Sequence, residues 1–311
     1  MQFWPRTRSP RMTARIRSWG TLKDAKLLGF PGYKAGMTHI MYIENRPGTP
    51  AKGEESSMPV TVIECPPIRI IGIKTIKNDY NGLTTAQHGW TEKIDKNVSR
   101  ALNLPATPKK VEFSTDGVVE VRVIAATQPH LANLKKTPEI VELGVGGNIE
   151  QGLEYAKKIL GTDIKVADVF SAGQQVDAHS VTKGKGFQGP VKRHGVMIRS
   201  HKAEKTKRGP ASLGPWGNAR TYRVAHAGQT GFQRRTEYNK WVVKIDAKPE
   251  QVNPAGGFVR YGQLAADALL VKGSIGGSAK RLVTFTQPKR MHPRIPKTAP
   301  EITHISVVSK Q

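Results

Sequence analysis

The sequence holds one cysteine, Cys65, in 311 residues. That excludes an intramolecular disulfide and a thiolate zinc cluster. Acids are scarce as well: 24 Asp and Glu stand against 49 Lys and Arg, a formal charge of +25 with a pI near 10.2. Such self-repulsion works against a compact state unless a partner neutralises it, and nucleic acid is the first partner to consider. No apolar run approaches the ~18 residues of a membrane span. No amphipathic helix sets Trp, Phe and Leu opposite cations, so a membrane-surface role is not expected either. The basic N-terminus MQFWPRTRSPRMTARIRSW has no apolar centre of the kind a secretory signal needs. Pro5 and Pro10 break the helix a transit peptide would form. An intracellular protein is the expectation. The 37% hydrophobic content suffices for a core somewhere in the chain.

That core must lie outside residues 179–241. Between His179 and Lys240 there are fourteen Lys and Arg, two acids (Glu204 and Glu237) and nine glycines. About half of the net charge therefore falls in a fifth of the length, with no apolar period for a helix or a core strand. A segment so cationic and glycine-rich buries too little apolar surface to offset its ordering entropy, and needs a polyanion to hold it.

Residues 1–29 read as an extended basic arm: Arg6, Arg8, Arg11, Arg15 and Arg17 recur every two to four residues, with Phe3, Trp4 and Trp19 interspersed for base stacking. From Phe30 the texture changes to short β-branched runs, Met37–Ile43, Val60–Cys65 and Ile68–Ile76, divided by Pro and Gly. Cys65 ends one of them and reads as a small core filler. Residues 78–162 are nearly charge-balanced and predict an α+β insertion. One helix is capped by Thr91 and carries Ile94, Val98, Ala101 and Leu102; a second starts at Asn148, with Gln151 completing a capping-box-like pair, and closes at Gly161. A strand over 118–125 lies between them. Strands are then expected in IKVADVF, at Gln174–Thr182, Trp241–Asp246 and Ala268–Lys272, and over 281–286. The predicted class is thus mainly β with an α+β insertion. Residues 30–77 and 163–287 supply a β-barrel, 183–236 an extended loop between two of its strands, and 288–311 a basic Pro-rich tail.

Chemistry-bearing motifs are few. Gly184–Gly189 spells GxGxxG after a predicted strand, but Pro190 and Gly195 oppose the helix that a dinucleotide site requires. An enzyme using GKGFQG as a phosphate cradle is the alternative from another class. The nine histidines show no HExxH spacing, and Glu204 and Glu237 sit among cations, so no metal, cofactor, small-molecule substrate or catalytic group is indicated. The RNA-facing candidates are the five arm arginines with Lys183, Lys185, Lys192, Arg193, Arg199, Lys202, Lys205, Lys207, Arg208, Arg220, Arg223, Arg234, Arg235 and Lys240. Trp216, between Pro215 and Gly217, can stack on a base at the loop tip, or pack the loop on the barrel. Phe187, Tyr222, Phe232 and Tyr238 interleave with the cations. No recognition helix can be placed, so folded RNA fits better than duplex DNA.

Taken together and in order, GFPGYKAGMTHI, PVTVIECPPIRIIGIKTI, VTKGKGFQGPVKRHG and LGPWGNARTYRVAHAGQTGFQRRTEYNK make the chain resemble the L-three family of large-subunit ribosomal proteins, in its archaeal and eukaryotic form. The resemblance implies a translation-protein-type β-barrel and direct binding to large-subunit ribosomal RNA near its 3′ end. It also implies an early role in cytoplasmic subunit assembly, neighbouring large-subunit proteins as partners, and no enzymatic activity. In that family a Trp-bearing finger approaches the peptidyl transferase centre, and Trp216 matches it. The family's modifiable histidine has no counterpart at Thr206-Lys207-Arg208-Gly209.

Overall fold

The computed structural model describes residues 6–92, 94–104, 111–203, 205–210, 224–246 and 249–308. In chain order the strands are β1 (Gly29–Ile43), β2 (Glu55–Glu64), β3 (Ile68–Asp79), β4 (Gly82–Trp90), β5 (Val118–Ala126), β6 (Ile140–Gly144) and β7 (Asp163–Ile164). They continue as β8 (Gln175–Val181), β9 (Phe187–Gln188), β10 (Gly228–Gln229), β11 (Arg234–Asp246), β12 (Ala268–Lys272), β13 (Leu282–Thr286) and β14 (Glu301–Ile305). The helices are short: α1 (Lys96–Ser99), α2 (Ile149–Ile159), α3 (Val166–Val169) and α4 (Pro190–His194). The protein is mainly β, as its composition of β-branched runs and Gly/Pro punctuation requires.

Two sheets carry the fold. The first runs β13-β8-β11-β12-β2-β1-β14, and β1 also pairs with β13, so its antiparallel ladder returns to its starting strand. β1 can serve three neighbours because it is long: Gly29–Tyr33 lie against β13, its middle and far half against β2, and Ile40–Ile43 also against β14. The inward residues of these strands, among them Phe30, Val62, Val176, Val242, Leu270 and Phe285, are buried in one core. Cys65 is part of it, fully buried, and burial pushes its thiol pKa up. It is the core filler that its position suggested.

The second sheet runs β4-β3-β5-β6, with β7 added to β3. The strand expected over 68–76 therefore forms, but every ladder partner it has lies in this sheet rather than in the first. α2 lays Leu153, Ala156 and Ile159 into the shared core, and Gly161, at φ 78°, ends the segment as expected. Asn148 occupies its N-cap, yet its side chain makes no capping bond. The helix expected from Thr91 shrinks to the single turn of α1, because the Thr91 N–H continues the β4 ladder to Ile71 O at 2.9 Å and the helix starts only after Asp95. IKVADVF is not a strand: after β7 the Asp168 carboxylate accepts the Lys165 N–H at 3.0 Å and nucleates α3.

Residues 19–28 of the N-terminal arm join the sheets. Leu28 N–H donates to Gly144 O at 2.9 Å and Gly146 N–H to Lys26 O at 2.8 Å, adding the chain to the free edge of β6. Trp19 seats between two glycines: a Cβ at Gly144 would lie 2.8 Å from its ring and one at Gly29 3.1 Å. Its role is packing, not base stacking. The Tyr33 hydroxyl spans the same junction, bonded to Thr127 Oγ1 at 2.8 Å and to the Glu139 carboxylate. The tail is more ordered than an extended arm. Lys289 N–H and His292 N–H reach the Asp177 and Gln175 side chains on the outer face of β8, and Glu301–Ile305 pair with β1.

Candidate nucleic-acid interface

The cationic stretch leaves the first sheet between two ladder neighbours, Val181 and Arg234. The ladder does not stop there. Thr182 N–H donates to Gln233 O at 3.1 Å, Phe232 N–H to Lys183 O at 3.2 Å and Lys185 N–H to Thr230 O at 2.9 Å, and β9 pairs with β10. The loop root is thus a two-stranded antiparallel ribbon projecting from β8 and β11. Gly231 makes it possible: its φ is 74°, and a Cβ there would lie 2.0 Å from Lys183 O.

This geometry settles the GKGFQG motif. The Lys185 N–H, a donor a phosphate cradle would need, is spent on Thr230, and Gly186 O accepts the Thr230 N–H at 2.8 Å. α4 does follow, with Pro190 in its first turn and Gly195 in the left-handed conformation at its end, but it is five residues long. Pro190 starts the helix rather than preventing it, and Gly195 stops it within about one turn. A dinucleotide helix needs several.

The arm docks on this root. Ser9 N–H donates to Phe232 O at 2.7 Å, Gln233 Nε2 to Arg6 O at 3.3 Å, and Arg234 Nη1 to Arg15 O at 2.9 Å. Along the arm Ala14 and Ile16 are buried while Arg11, Arg15 and Arg17 are exposed. This is the period of two of an extended segment lying on a surface, with apolar side chains inward and guanidinium groups outward. From the tail, Lys289 Nζ donates to Ser18 Oγ; just ahead of β13, the Arg281 guanidinium lies 5.3 Å from the centroid of the Phe232 ring. Arm, ribbon and tail therefore converge at one end of the first sheet.

Most of the sequence-chosen cations fall here with their charge outward. Arg8, Arg11, Arg15, Arg17, Lys183, Lys185, Lys192, Arg199, Lys202, Lys205, Lys207, Arg208, Arg234 and Arg235 are exposed. Arg199 and Arg208 belong to a fold of the loop in which Arg199 N–H reaches Lys207 O at 3.1 Å and Arg199 Nη2 reaches Pro210 O at 2.8 Å. Arg6 and Arg193 are half-buried, and Arg193 is turned inward onto His226 O at 2.9 Å and Gln229 O at 3.3 Å, bracing α4 against β10. Lys240 departs from the expectation. It pairs with Glu237 at 2.7 Å and donates to Ser274 O at 2.8 Å, so its charge is met within the protein. Trp216, Tyr222, Arg220 and Arg223 lie outside the described residues. Of the aromatics, Phe187 and Tyr238 are exposed, whereas Phe232 is covered by Arg281.

Two groups were not chosen from the sequence. Lys289 joins the arm arginines, and the signal for it was the basic run after the β13 motif. His179, at the foot of the ribbon, is buried between Thr236 and Thr286, each 3.0 Å from a ring nitrogen. Burial first, then the cations Lys289 and Arg234, lowers its pKa to about 4. It is a neutral cross-brace beneath a positive surface. Among the described residues no three His, Cys, Asp or Glu side chains converge as metal ligands. The arrangement offers outward cations on a rigid ribbon and a docked strand, a surface suited to phosphates.

Comparison with known proteins agrees with this geometry. Residues 1–311 match the family described as ribosomal protein L3. Proteins named large ribosomal subunit protein uL3 are similar throughout. The one from Methanococcus aeolicus is 43% identical over 320 residues, covering 100% of this chain and 96% of the relative. That from Methanothermobacter thermautotrophicus is 43% identical over 323 residues, covering 99% and 96%. That from Archaeoglobus fulgidus is 40% identical over 320 residues, covering 100% and 96%.

Proposed function

Because the chain belongs to the ribosomal protein L3 family, whose members are structural, non-enzymatic components of the large ribosomal subunit, we propose that it binds large-subunit ribosomal RNA directly, near the 3′ end of that RNA, and nucleates subunit assembly. In this reading the closed ladder of the first sheet is the translation-protein-type β-barrel. Residues 78–162 are an α+β insertion that draws β3 into its sheet, while 1–29 and 288–311 are the arms. The loop over 183–236 threads into RNA and carries Trp216 toward the peptidyl transferase centre. Neighbouring large-subunit proteins pack on the remaining surface.

One observation supports this best: the arm is docked on the ribbon with its Ala14 and Ile16 turned inward, while most arginines of the arm and most cations of the ribbon face outward. A phosphate backbone supplies the missing counter-charge, and an irregular RNA crevice accepts an extended strand and ribbon where a duplex groove would not. Such contacts fix RNA shape rather than read its sequence.

The test is the salt dependence of binding between the free protein and the 3′ portion of large-subunit RNA. With about ten loop cations on phosphates, log K falls against log salt with a slope of roughly −7 to −9. A slope near −2 would remove the loop from the interface. Nucleotide or S-adenosylmethionine is expected to leave the melting temperature unchanged, and a saturable rise of several degrees would favour an enzyme instead.

A further inference from the structure

We infer that a groove where the middle of β1 meets the turn over 254–259 and the C-terminal segment is a docking site for apolar side chains of a neighbouring protein, and not for RNA. The inference rests on the reading that the chain sits within the large subunit. The groove has a volume of about 320 Å³ and is lined by Met37, His39, Phe258, Val259, Ser306 and Val308 among others.

Its chemistry is the reverse of the cationic end. None of its ten lining residues is Lys, Arg, Asp or Glu, in a chain with 49 cations. The lining itself offers a phosphate no Lys or Arg, the nearest along the chain being Arg260 beyond Val259, whereas an uncharged apolar surface finds its match there. Met37 is 46% exposed, Val259 58% and Val308 73%, three large side chains held in water around one concavity. A cluster of that kind marks an interaction site more often than isolated exposed residues do.

The walls are built. Phe258 packs on Gly36, where a Cβ would lie 2.5 Å from its ring, so the glycine admits the aromatic onto the strand. Reciprocal bonds between Phe258 and Gly262, 2.9 and 3.0 Å, close the turn that presents Val259. The third wall is pinned to β1 by Ser306 N–H to His39 O at 3.1 Å and by Thr38 Oγ1 to Ser306 O at 2.6 Å. A rigid uncharged cleft favours one inserted anchor, the pattern of protein–protein hot spots.

The experiment places a photoreactive benzoyl-phenylalanine at residue 259, and in a second preparation at residue 185, in the full chain assembled into large subunits. Irradiation is expected to give a protein adduct from residue 259 and an RNA adduct from residue 185. In the 259 preparation, the exposed-site change Met37→Glu is expected to lower the protein adduct tenfold or more without changing the sedimentation of the subunit. An RNA adduct at 259, an adduct confined to this chain's own C-terminus, or no adduct would each overturn the inference while leaving ribosomal placement intact. Absence of the unsubstituted chain from the large-subunit peak would overturn the placement, and the inference with it.

Discussion

Replacing His179 by Gln tests the claim that this histidine is a neutral brace. Unfolded, the imidazole has a pKa of about 6.5; folded, burial and the nearby Lys289 and Arg234 hold it at about 4. The folded state therefore resists a proton that the unfolded chain accepts. Its stability is unaffected above about pH 6.5, falls as pH drops through the window from about 6.5 to about 4, and levels off below. The linkage integral gives a loss of about 2.5 kcal/mol between about pH 7.5 and about pH 4.5, approaching about 3.4 kcal/mol at lower pH. Gln bonds to Thr236 or Thr286 without titrating, so whatever His179→Gln costs is the same at both pH values. Carboxylates contribute equally to both proteins and cancel. Glu44, held at about 2 first by its bond from Arg46, loses its contribution mainly below this window. Urea unfolding of both proteins at the two pH values gives the comparison: the wild type should lose about 2.5 kcal/mol more than the variant. Equal losses would refute the buried, neutral assignment.

Gly144→Ala should destabilise the free protein by about 1–3 kcal/mol, since the new methyl meets the Trp19 ring, and should expose residues 19–28 to protease; a gain in stability would show that Trp19 is not wedged there. Gly231→Ala, forced into φ 74° against Lys183 O, should open the ribbon, seen as faster hydrogen exchange at Lys185 and Phe232 with the first sheet still protected. The double change Arg15→Gln with Arg17→Gln should reduce the magnitude of the RNA-binding salt slope by about 1.5–2, whereas Lys240→Gln should leave it unchanged. An equal effect from Lys240 would mean that its pairing with Glu237 opens on RNA.

β1, β2, β3, β5, β8, β11, β12 and β13 were legible, at least in part, as short β-branched runs near Gly or Pro, whereas β4, β6 and β14 were not. Which sheet a strand joins was not. β3 reads like β2 along the sequence, and its partners β5 and β7 lie tens of residues away. Local bonds hid two more elements: the Thr91 N–H committed to Ile71, and Asp168 reaching back to Lys165. The alternation Ala14, Arg15, Ile16, Arg17 was in plain view as a period of two, but the arginines drew the reading toward an extended arm rather than one docked on the fold. Trp19 needed knowledge of Gly29 and Gly144, one nearby and one far along the chain, each visible only as a missing side chain. At the interface, the loop cations named from composition are mostly exposed because few acids in that stretch compete for them. The pairing of Lys240 was not legible, because it depends on a bulge at Asn239, whose φ is 54°, that turns it back onto Glu237.

Val181 and Arg234 are cross-strand partners, so 52 residues are inserted at what could have been a two-residue hairpin. The sheet is indifferent to that length. Closure entropy grows only as the logarithm of loop size, and extending the insertion by eight residues costs about 0.1 kcal/mol. Evolution can therefore lengthen, shorten or re-tip this appendage to follow drift in the structure around it while leaving the core untouched, much as a tool's bit is changed without recutting its handle. Selection on the far end of the loop and selection on the fold are nearly separate problems.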